Sequence, residues 1–256
     1  LLLAACEKAA KGLFISIDEI QKVPLDDVSR ICGAFQMASR KGHDVALVAA
    51  GLPRAYDNVI HHDGCTFMRR CVHEELGLFT RSEVEGAFEN AFCGIKGLTV
   101  APDALTKLVT LSSGHPYMTQ LLGYYAVEYA NQHAQRNAFM LDPHDVEEFF
   151  PVVLSAYERR SLQPLVDTMS PGEINYLRAM AESMDASHVA KTADVAKALG
   201  KEPRQVAPYR QSLLNDGIIL AVKRGFIRFN VPYLRSYIQK PPDKDENVRL
   251  VEEWDV

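Results

Sequence analysis

Two apolar runs separated by one helix constrain the fold of this chain more than any other feature. The first run covers Leu13–Ile17 and the second covers residues 44–51, and both are almost continuously apolar. Between them, residues 25–42 have two aspartates in their first turn and basic residues with a glycine at their end, as helices do. Apolar strands joined through a helix predict a parallel sheet that is covered on both faces.

The next part of the chain extends this α/β pattern and then becomes helical. A helical stretch is predicted at 52–61, and a third short strand is predicted near Cys71–Leu76. Thr80 and Glu83 have the spacing of a capping box, which begins a helix. Further helices are predicted at 102–113, 116–134 and 142–168. No strand is predicted between about 98 and 168, so we expect a small helical bundle there.

A new module begins at Ser170, which forms a second predicted capping box with Glu173. Three helices are predicted in it, at 171–184, 191–200 and 204–217. They are followed by the runs 218-IILAV-222 and 226-FIRFN-230, which flank Lys223-Arg224-Gly225. Two such runs around a short glycine turn predict a hairpin. Helices followed by a hairpin in this order predict a winged helix.

The predicted fold class is therefore α/β, then all-α, then winged helix. We expect a partial parallel-sheet core at 1–97, a helical lid at 98–168, a winged-helix domain at 169–240 and an acidic tail at 241–256.

Composition excludes some classes of function. The net charge is −5, so bulk charge does not favour polyanion binding, and no apolar run is long enough to cross a membrane. Ser170–Lys240 is different, because 11 Lys and Arg oppose 6 Asp and Glu there. This imbalance fits either anion recognition or chance. The chain has five cysteines and no CxxC, which favours a reducing cytoplasm over a disulfide framework.

The first apolar run ends in two adjacent carboxylates, Asp18 and Glu19. At the carboxyl edge of a parallel sheet, an Asp can hold Mg²⁺ through its water shell, and a Glu can orient the water that attacks a phosphate. The alternative is that a buried strand reaches solvent at this point and that the two carboxylates have no chemical role. The pattern alone leaves both readings open.

The order of these segments resembles the AAA+/STAND group of P-loop ATPases, closest to archaeal-type ATPases and origin-recognition initiators. The resemblance covers residues 1 to about 240. Its most specific pieces are 17-IDEIQ-21, which looks like the end of a Walker B strand, and 113-SGHPYMTQLLG-123, which looks like the turn and helix of the lid.

The resemblance implies roles for individual residues. It makes Asp18 the Mg²⁺-associated carboxylate and Glu19 the catalytic one. His115 and Pro116 would lie near a bound nucleotide. Ala49 and Ala50 replace the polar residue of sensor 1, so Arg54 is the nearest polar substitute. Arg69 and Arg70 are candidates for an arginine finger, although a solvated pair is the simpler reading.

The chain departs from the family at one decisive place, because the phosphate-binding motif GxxxxGK(S/T) is absent. We therefore expect this chain to be the C-terminal part of a larger protein whose Walker A region lies upstream. ATP and Mg²⁺ would be cofactors of that complete protein, and the fragment itself is expected to bind neither and to be inactive as an ATPase.

The winged helix suggests a second function, since the second helix of its helix pair can enter a DNA groove while the hairpin contacts phosphates. Cationic, amide and aromatic side chains occupy both places. The candidate DNA-binding residues are Arg204, Gln205, Tyr209 and Arg210 on the helix, and Lys223, Arg224 and Arg228 on the hairpin.

Two functions from different classes follow. In the first, an ATPase couples its nucleotide state to a winged helix that binds DNA or a protein, including a second copy of itself. In the second, the chain is a non-enzymatic DNA-binding regulator on a degenerate ATPase-like scaffold. Neither reading involves a membrane.

Overall fold

A computed structural model describes residues 12–134 and 138–240 of the chain. The described part is mostly helical and contains three small sheets, two of them parallel. The chain separates into two compact units. The first contains residues up to Leu76 together with Ser212–Ile218, and the second contains Gly77–Gln211 and the chain from Ile219 onward. The predicted tail at 241–256 lies outside the described residues.

The first unit is built on two parallel strands, with Leu13 opposite Val45 and Ile17 opposite Ala49. Its elements are β1 (Leu13–Ile17), α1 (Leu25–Arg40), β2 (Val45–Ala49), α2 (Pro53–His61) and a 3₁₀ segment (Asp63–Arg70). The predicted strand–helix–strand order is therefore confirmed. A small core joins these elements and contains Ile20, Val28, Cys32, Val59 and Cys65.

One face of this sheet is open, so the predicted cover on both faces is wrong for the described residues. Side chains along both strands alternate between partly buried and exposed. Phe14 is 66% exposed and Val48 is 53% exposed. Helix α1 packs on the sheet, and the apolar residues of the other face remain in contact with solvent. We call this side, with Phe14, Ser16, Ala46 and Val48, the apolar face.

The strand predicted near Cys71–Leu76 is absent, which is a second correction. The 3₁₀ segment ends at Arg70, and the chain then has no regular secondary structure until α3. Val72 is 87% exposed and Leu76 is 95% exposed. A short segment becomes a strand only where a neighbouring strand pairs with its backbone hydrogen-bonding groups.

The second unit begins with helices that have well-defined caps. They are α3 (Arg81–Cys93), α4 (Pro102–Ser112), α5 (Pro116–His133), α6 (Pro143–Tyr157), a π-helical turn (Glu158–Leu162) and α7 (Gln163–Asp167). The capping box predicted at Thr80 is confirmed, because Thr80 N donates to Glu83 Oε2 at 2.7 Å and Glu83 N donates to Thr80 Oγ1 at 3.3 Å. The hydrogen bond from the Thr80 backbone lowers the pKa of Glu83.

Two short strands lie among these helices, so the prediction of no strand between 98 and 168 is wrong. β3 (Leu98–Val100) pairs in parallel with β4 (Phe139–Leu141). Leu141 is fully buried. Pairs of three residues that lie some forty residues apart leave no periodic pattern in the sequence, and tertiary packing decides them.

The last part of the described chain, residues 171–239, contains helices and a three-stranded antiparallel sheet, and all of it except Ser212–Ile218 belongs to the second unit. Its elements are α8 (Pro171–Glu182), β5 (Ala190–Lys191), α9 (Thr192–Ala198), α10 (Pro203–Asn215), β6 (Ile219–Lys223), β7 (Phe226–Phe229) and α11 (Leu234–Gln239). The capping box at Ser170 is present, and the strands run in the order β5–β7–β6. β5 was not predicted. Ile227 and Ile219 are buried on the inner face of this sheet.

Candidate functional sites

The carboxylate turn, residues 18–21, follows β1 directly. Asp18 and Glu19 are both exposed. Glu19 has a φ of 53°, a left-handed conformation, and its N–H donates to Asp18 Oδ1 at 2.8 Å. The chain turns sharply here and enters a 3₁₀ turn at Ile20–Lys22. Both carboxylates are therefore presented at the carboxyl end of a parallel strand, where such sheets bind ligands.

Gln21 connects this turn to the turn that follows β2. Its Nε2 donates to Glu19 Oε2 at 3.1 Å, and its Oε1 accepts from Leu52 N at 3.3 Å. Gly51 makes room for this link, because a Cβ there would lie 2.7 Å from Gln21 Oε1. Lys22 Nζ also lies 3.0 Å from Glu19 Oε2. Glu19 is thus held by two neighbours. Sequence reasoning assigned no role to Gln21, because its partner lies 31 residues further on.

The position expected for sensor 1 provides only backbone contacts among the described atoms. Ile20 N donates to Ala50 O at 3.0 Å, and Ala50 N donates to Ile17 O at 2.8 Å. These bonds hold the ends of β1 and β2 together. The side chain of Arg54, the proposed polar substitute, lies outside the described part of the structure.

The arginine-finger candidates lie at the end of the 3₁₀ segment, and both are exposed. Arg69 Nε donates to Ile60 O at 2.7 Å, which ties the segment to α2. The structure therefore gives Arg69 a local role in holding the first unit together. It gives Arg70 no role beyond its position beside Arg69.

His115 and Pro116 form the start of α5, with His115 as the N-cap and Pro116 as the first helical residue. The His115 ring meets the edge of the Tyr157 ring at 5.6 Å between centroids. Its Nδ1 is buried and has no hydrogen-bond partner among the described residues. Burial lowers the pKa of His115.

The turn before His115 is packed tightly on the chain that precedes α3. Phe79 N donates to Gly114 O at 2.8 Å. Gly114 has a φ of 72°, and a Cβ there would lie 2.4 Å from Phe79 O. Only glycine fits this position.

Tyr233, at the start of α11, reaches the same turn. Its hydroxyl donates to Leu111 O at 2.6 Å, and its ring meets Tyr157 with the centroids 6.2 Å apart. Burial raises the pKa of Tyr157 to about 12. The turn at 113–116 is therefore in contact with the last helix through Tyr157 and Tyr233.

The DNA-binding candidates on α10 divide into two pairs. Arg204 and Gln205 are exposed, and Gln205 Oε1 accepts from Glu202 N at 2.9 Å as a cap of the helix. Tyr209 instead packs on α8, because a Cβ at Gly172 would lie 2.4 Å from its ring. Arg210 has a buried Nε.

The charge of Arg210 acts on the buried Tyr176 of α8. Burial raises the pKa of Tyr176 to about 12, and the charge of Arg210 opposes that rise. Tyr209 and Arg210 are thus both partly buried within their own module.

The hairpin candidates belong to a cationic outer face of the β5–β7–β6 sheet. Lys191 and Lys223 are both opposite Phe226, and Arg228 is opposite Leu220. Lys223 Nζ lies 4.4 Å from the centroid of the Phe226 ring, and Lys191 Nζ lies 6.0 Å from it. We call Lys191, Lys223, Phe226 and Arg228 the cationic face.

The strands of this sheet contain no Asp or Glu, and Arg224 in the turn between β6 and β7 adds a fourth exposed cation. Sequence reasoning missed Lys191 and Phe226. The hairpin was visible in the sequence, but the two-residue strand that brings Lys191 beside it was not.

Neither a metal cluster nor a membrane span is found in the described residues. Within 12–134 and 138–240, no three His, Cys, Asp or Glu side chains come together as a metal site would require. Among the helices of the same residues, none combines the length and the apolar character needed to cross a membrane.

Known proteins match this chain in two ways. Residues 160–238, which include α8 to the end of β7, match a family described as a domain of unknown function (DUF8462). No curated protein matches the chain. The matched family covers less than half of the chain and has no described function.

Solved structures share a distant likeness with most of the chain. The crystal structure of Cdc6p from Pyrobaculum aerophilum is 17% identical over 93% of this chain and 67% of that one, with a TM-score of 0.49. A mutant of RuvB from Thermotoga maritima is 12% identical over 90% and 81%, with a TM-score of 0.44. The ORC2 protein of Aeropyrum pernix is 14% identical over 93% and 67%, with a TM-score of 0.42. These scores assign no site and no activity to this chain.

Proposed function

We propose that the first unit is the rear half of an ATPase core, and that a complete protein uses it to control a DNA-binding module. The carboxylate turn is the observation that carries this proposal. It places Asp18 and Glu19 at the carboxyl end of β1, and Gln21 ties Glu19 to the turn after β2. A hydrolytic site needs carboxylates that are exposed to substrate and yet fixed in position.

The open apolar face supports the view that this core is incomplete. Parallel sheets are normally covered on both faces, and here Phe14 and Val48 remain exposed. A further strand and helix, supplied by another part of the complete protein, would cover them. The same addition would bring the phosphate-binding loop that residues 1–256 do not contain.

The two carboxylates suit one hydrated Mg²⁺ with its nucleotide. Asp18 is exposed and would hold the ion through water, as carboxylates commonly do. Glu19 would orient the attacking water, and Gln21 and Lys22 would fix its carboxylate. Mg²⁺, when bound, neutralises charge on the phosphates.

The second part of the proposal assigns the residues from α8 to α11 to a winged helix that binds DNA. Its helix, strand, helix, helix, strand, strand order and its cationic hairpin support this assignment. Nucleotide state in the first unit would then regulate DNA binding by the second unit.

Substitution of the carboxylates in the complete protein tests the ATPase proposal. We expect Glu19→Gln to lower ATP turnover by about a hundredfold or more, since positioned acid–base groups contribute on that scale. ATP binding should persist in this variant, whereas Asp18→Asn should weaken the dependence on Mg²⁺. Asp27→Asn, which removes an exposed carboxylate from α1 of the same unit, is the matched control. Equal turnover by Glu19→Gln and Asp27→Asn would refute the assignment.

A second function, that of a DNA-binding regulator without ATPase activity, is favoured by one observation. Glu19 is already engaged by Lys22 and Gln21, so its carboxylate is satisfied without a ligand. On this reading, nucleotide has no effect on the protein. DNA retention by the complete protein, measured with and without ATP and Mg²⁺, separates the two functions.

A further inference from the structure

We propose that the cationic face holds the phosphate backbone of duplex DNA, and that α10 does not enter a groove to read bases. This inference rests on the proposed function, because it assumes that the C-terminal module binds DNA. It assigns DNA binding to the sheet surface and not to α10, and it makes recognition independent of base sequence.

The arrangement of charge on the cationic face suits regularly spaced phosphates. Lys191 and Lys223 stand on the outer strands with Phe226 between them, so their positions are about 10 Å apart. Arg228 follows two residues along β7, about 7 Å away. With no acidic residue on these strands, the whole face attracts anions.

Phe226 arranges the two lysines without neutralising them. Both ammonium groups lie over or near its ring, at 4.4 Å and 6.0 Å from the centroid. A cation–π contact orients an ammonium group but leaves its charge available to an anion. The face is therefore preorganised for phosphate contacts.

Three of the four candidate side chains on α10 are engaged or partly buried within the module, which leaves few of them for direct readout. Tyr209 packs over Gly172, and the Nε of Arg210 is buried. Gln205 caps the start of the helix through Glu202. Bidentate Arg, Asn or Gln contacts to base edges are the usual basis of sequence recognition. Of the four helix candidates, Arg204 alone is both exposed and uncommitted to such a contact in the described structure.

The same face favours a duplex over a single strand. Proteins that hold single strands stack bases on open aromatic rings. Phe226 is only partly exposed, and Lys223 lies across it. With no free ring for stacking on this face, the recognition reduces to charge and spacing, which the duplex backbone supplies without regard to sequence.

Charge removal from two sides of the module tests the inference. The full 256-residue chain is titrated against a fluorescent 20-base-pair duplex at 50 mM NaCl. The sheet variant is Lys191→Gln with Lys223→Gln and Arg228→Gln. The helix variant removes equal charge from the α9–α10 side through Lys197→Gln, Lys201→Gln and Arg204→Gln. A control variant removes equal charge from the chain that precedes α8, through Arg81→Gln, Lys96→Gln and Arg159→Gln.

We expect the sheet variant to bind about tenfold or more weakly, and the helix variant to stay within about threefold of the parent chain. The slope of log affinity against log salt should also become shallower by about 2.7 in the sheet variant, because each of the three lost phosphate contacts contributes about 0.9 to its magnitude. Lys191→Arg with Lys223→Arg should keep the affinity, which separates charge from folding. Two duplexes of unrelated sequence should bind within about twofold of each other.

Each other outcome has a distinct meaning. Loss in the helix variant alone would overturn this inference and leave DNA binding by the module intact. Failure of the parent chain to bind duplex at all would overturn the DNA part of the proposed function as well. Much tighter binding of a 20-base single strand would exclude the duplex. Equal displacement of duplex by poly-glutamate would assign the face to acidic proteins instead.

Discussion

The two sheets at opposite ends of the chain each have one side in solvent, and those two sides differ in charge. On the β1–β2 sheet, the open side carries Phe14 and Val48. On the β5–β7–β6 sheet, it carries Lys191, Lys223 and Arg228 beside Phe226 and the 36% exposed Leu220. The first sheet is parallel and two-stranded, and the second is antiparallel with a well-buried inner face.

This difference indicates what each side needs. Exposed Phe and Val side chains on a parallel sheet are unfavourably hydrated. Burial of these side chains by more polypeptide would stabilise the sheet. An antiparallel sheet can leave one side in solvent without further cover. Its cations therefore need no protein cover and are available to an anion. Under the proposed function, the apolar face would be covered by more of the fold, and the cationic face would bind an anionic ligand.

The largest expected effect is a loss of stability, and it tests whether the C-terminal sheet has one packed side and one solvent-exposed side. Ile227 is 2% exposed on the inner face, and Arg228 follows it on the outer face. We expect Ile227→Ala to lower the free energy of unfolding by about 2–5 kcal/mol and Arg228→Ala to change it by at most about 0.5 kcal/mol. Urea unfolding measures both. Similar costs for the two variants would mean that the outer face is also packed.

The next largest effect is the salt dependence of binding, which should differ between the two faces. Three phosphate contacts predict that duplex affinity falls by about 40-fold between 50 and 200 mM NaCl. Association through the apolar face should not weaken over the same range, because burial of apolar surface is not screened. Fluorescence titration and sedimentation velocity measure these two quantities. Salt-independent DNA binding would contradict the role given to the cationic face.

Much of this architecture was predictable because local rules determine it. Leu13–Ile17, α1 and the caps at Thr80 and Ser170 follow from apolar runs, charge placement and capping residues. The hairpin around Arg224 follows from two apolar runs and a glycine turn. Each of these signals lies within a few residues of sequence.

The features that shape the candidate sites depend instead on distant partners. Gln21 meets Leu52, and Lys191 meets Phe226, only after the chain has folded. The orientation of Tyr209 depends on the missing side chain at Gly172 in another helix. Val206 and Leu213 mark the buried side of α10 in the sequence, but no local signal shows that Tyr209 packs on another helix.

A smaller, pH-dependent effect should appear in the second unit alone. Burial lowers the pKa of His115 below its ordinary value of 6.5. The unfolded chain therefore binds a proton that the folded chain does not, and stability is lost as pH falls through 6.5 towards the lower folded pKa. Hydrogen exchange at pH 7.5 and pH 5.5 should show α5 opening more readily in acid. His115→Gln should reduce this change, and an unchanged acid response would place its cause elsewhere.

The smallest change in stability is expected at the apolar face, where it is also most informative. Phe14→Ser with Val48→Thr should alter the free energy of unfolding by at most about 0.5 kcal/mol, because both side chains are already exposed. Self-association at high protein concentration should fall, as measured by sedimentation. Ile15→Ser, on the partly buried side of the same strand, should cost more than about 1 kcal/mol. If the Phe14 and Val48 variant is as destabilised as Ile15→Ser, then this face is already covered within the chain, and the case for an incomplete ATPase core loses its physical support.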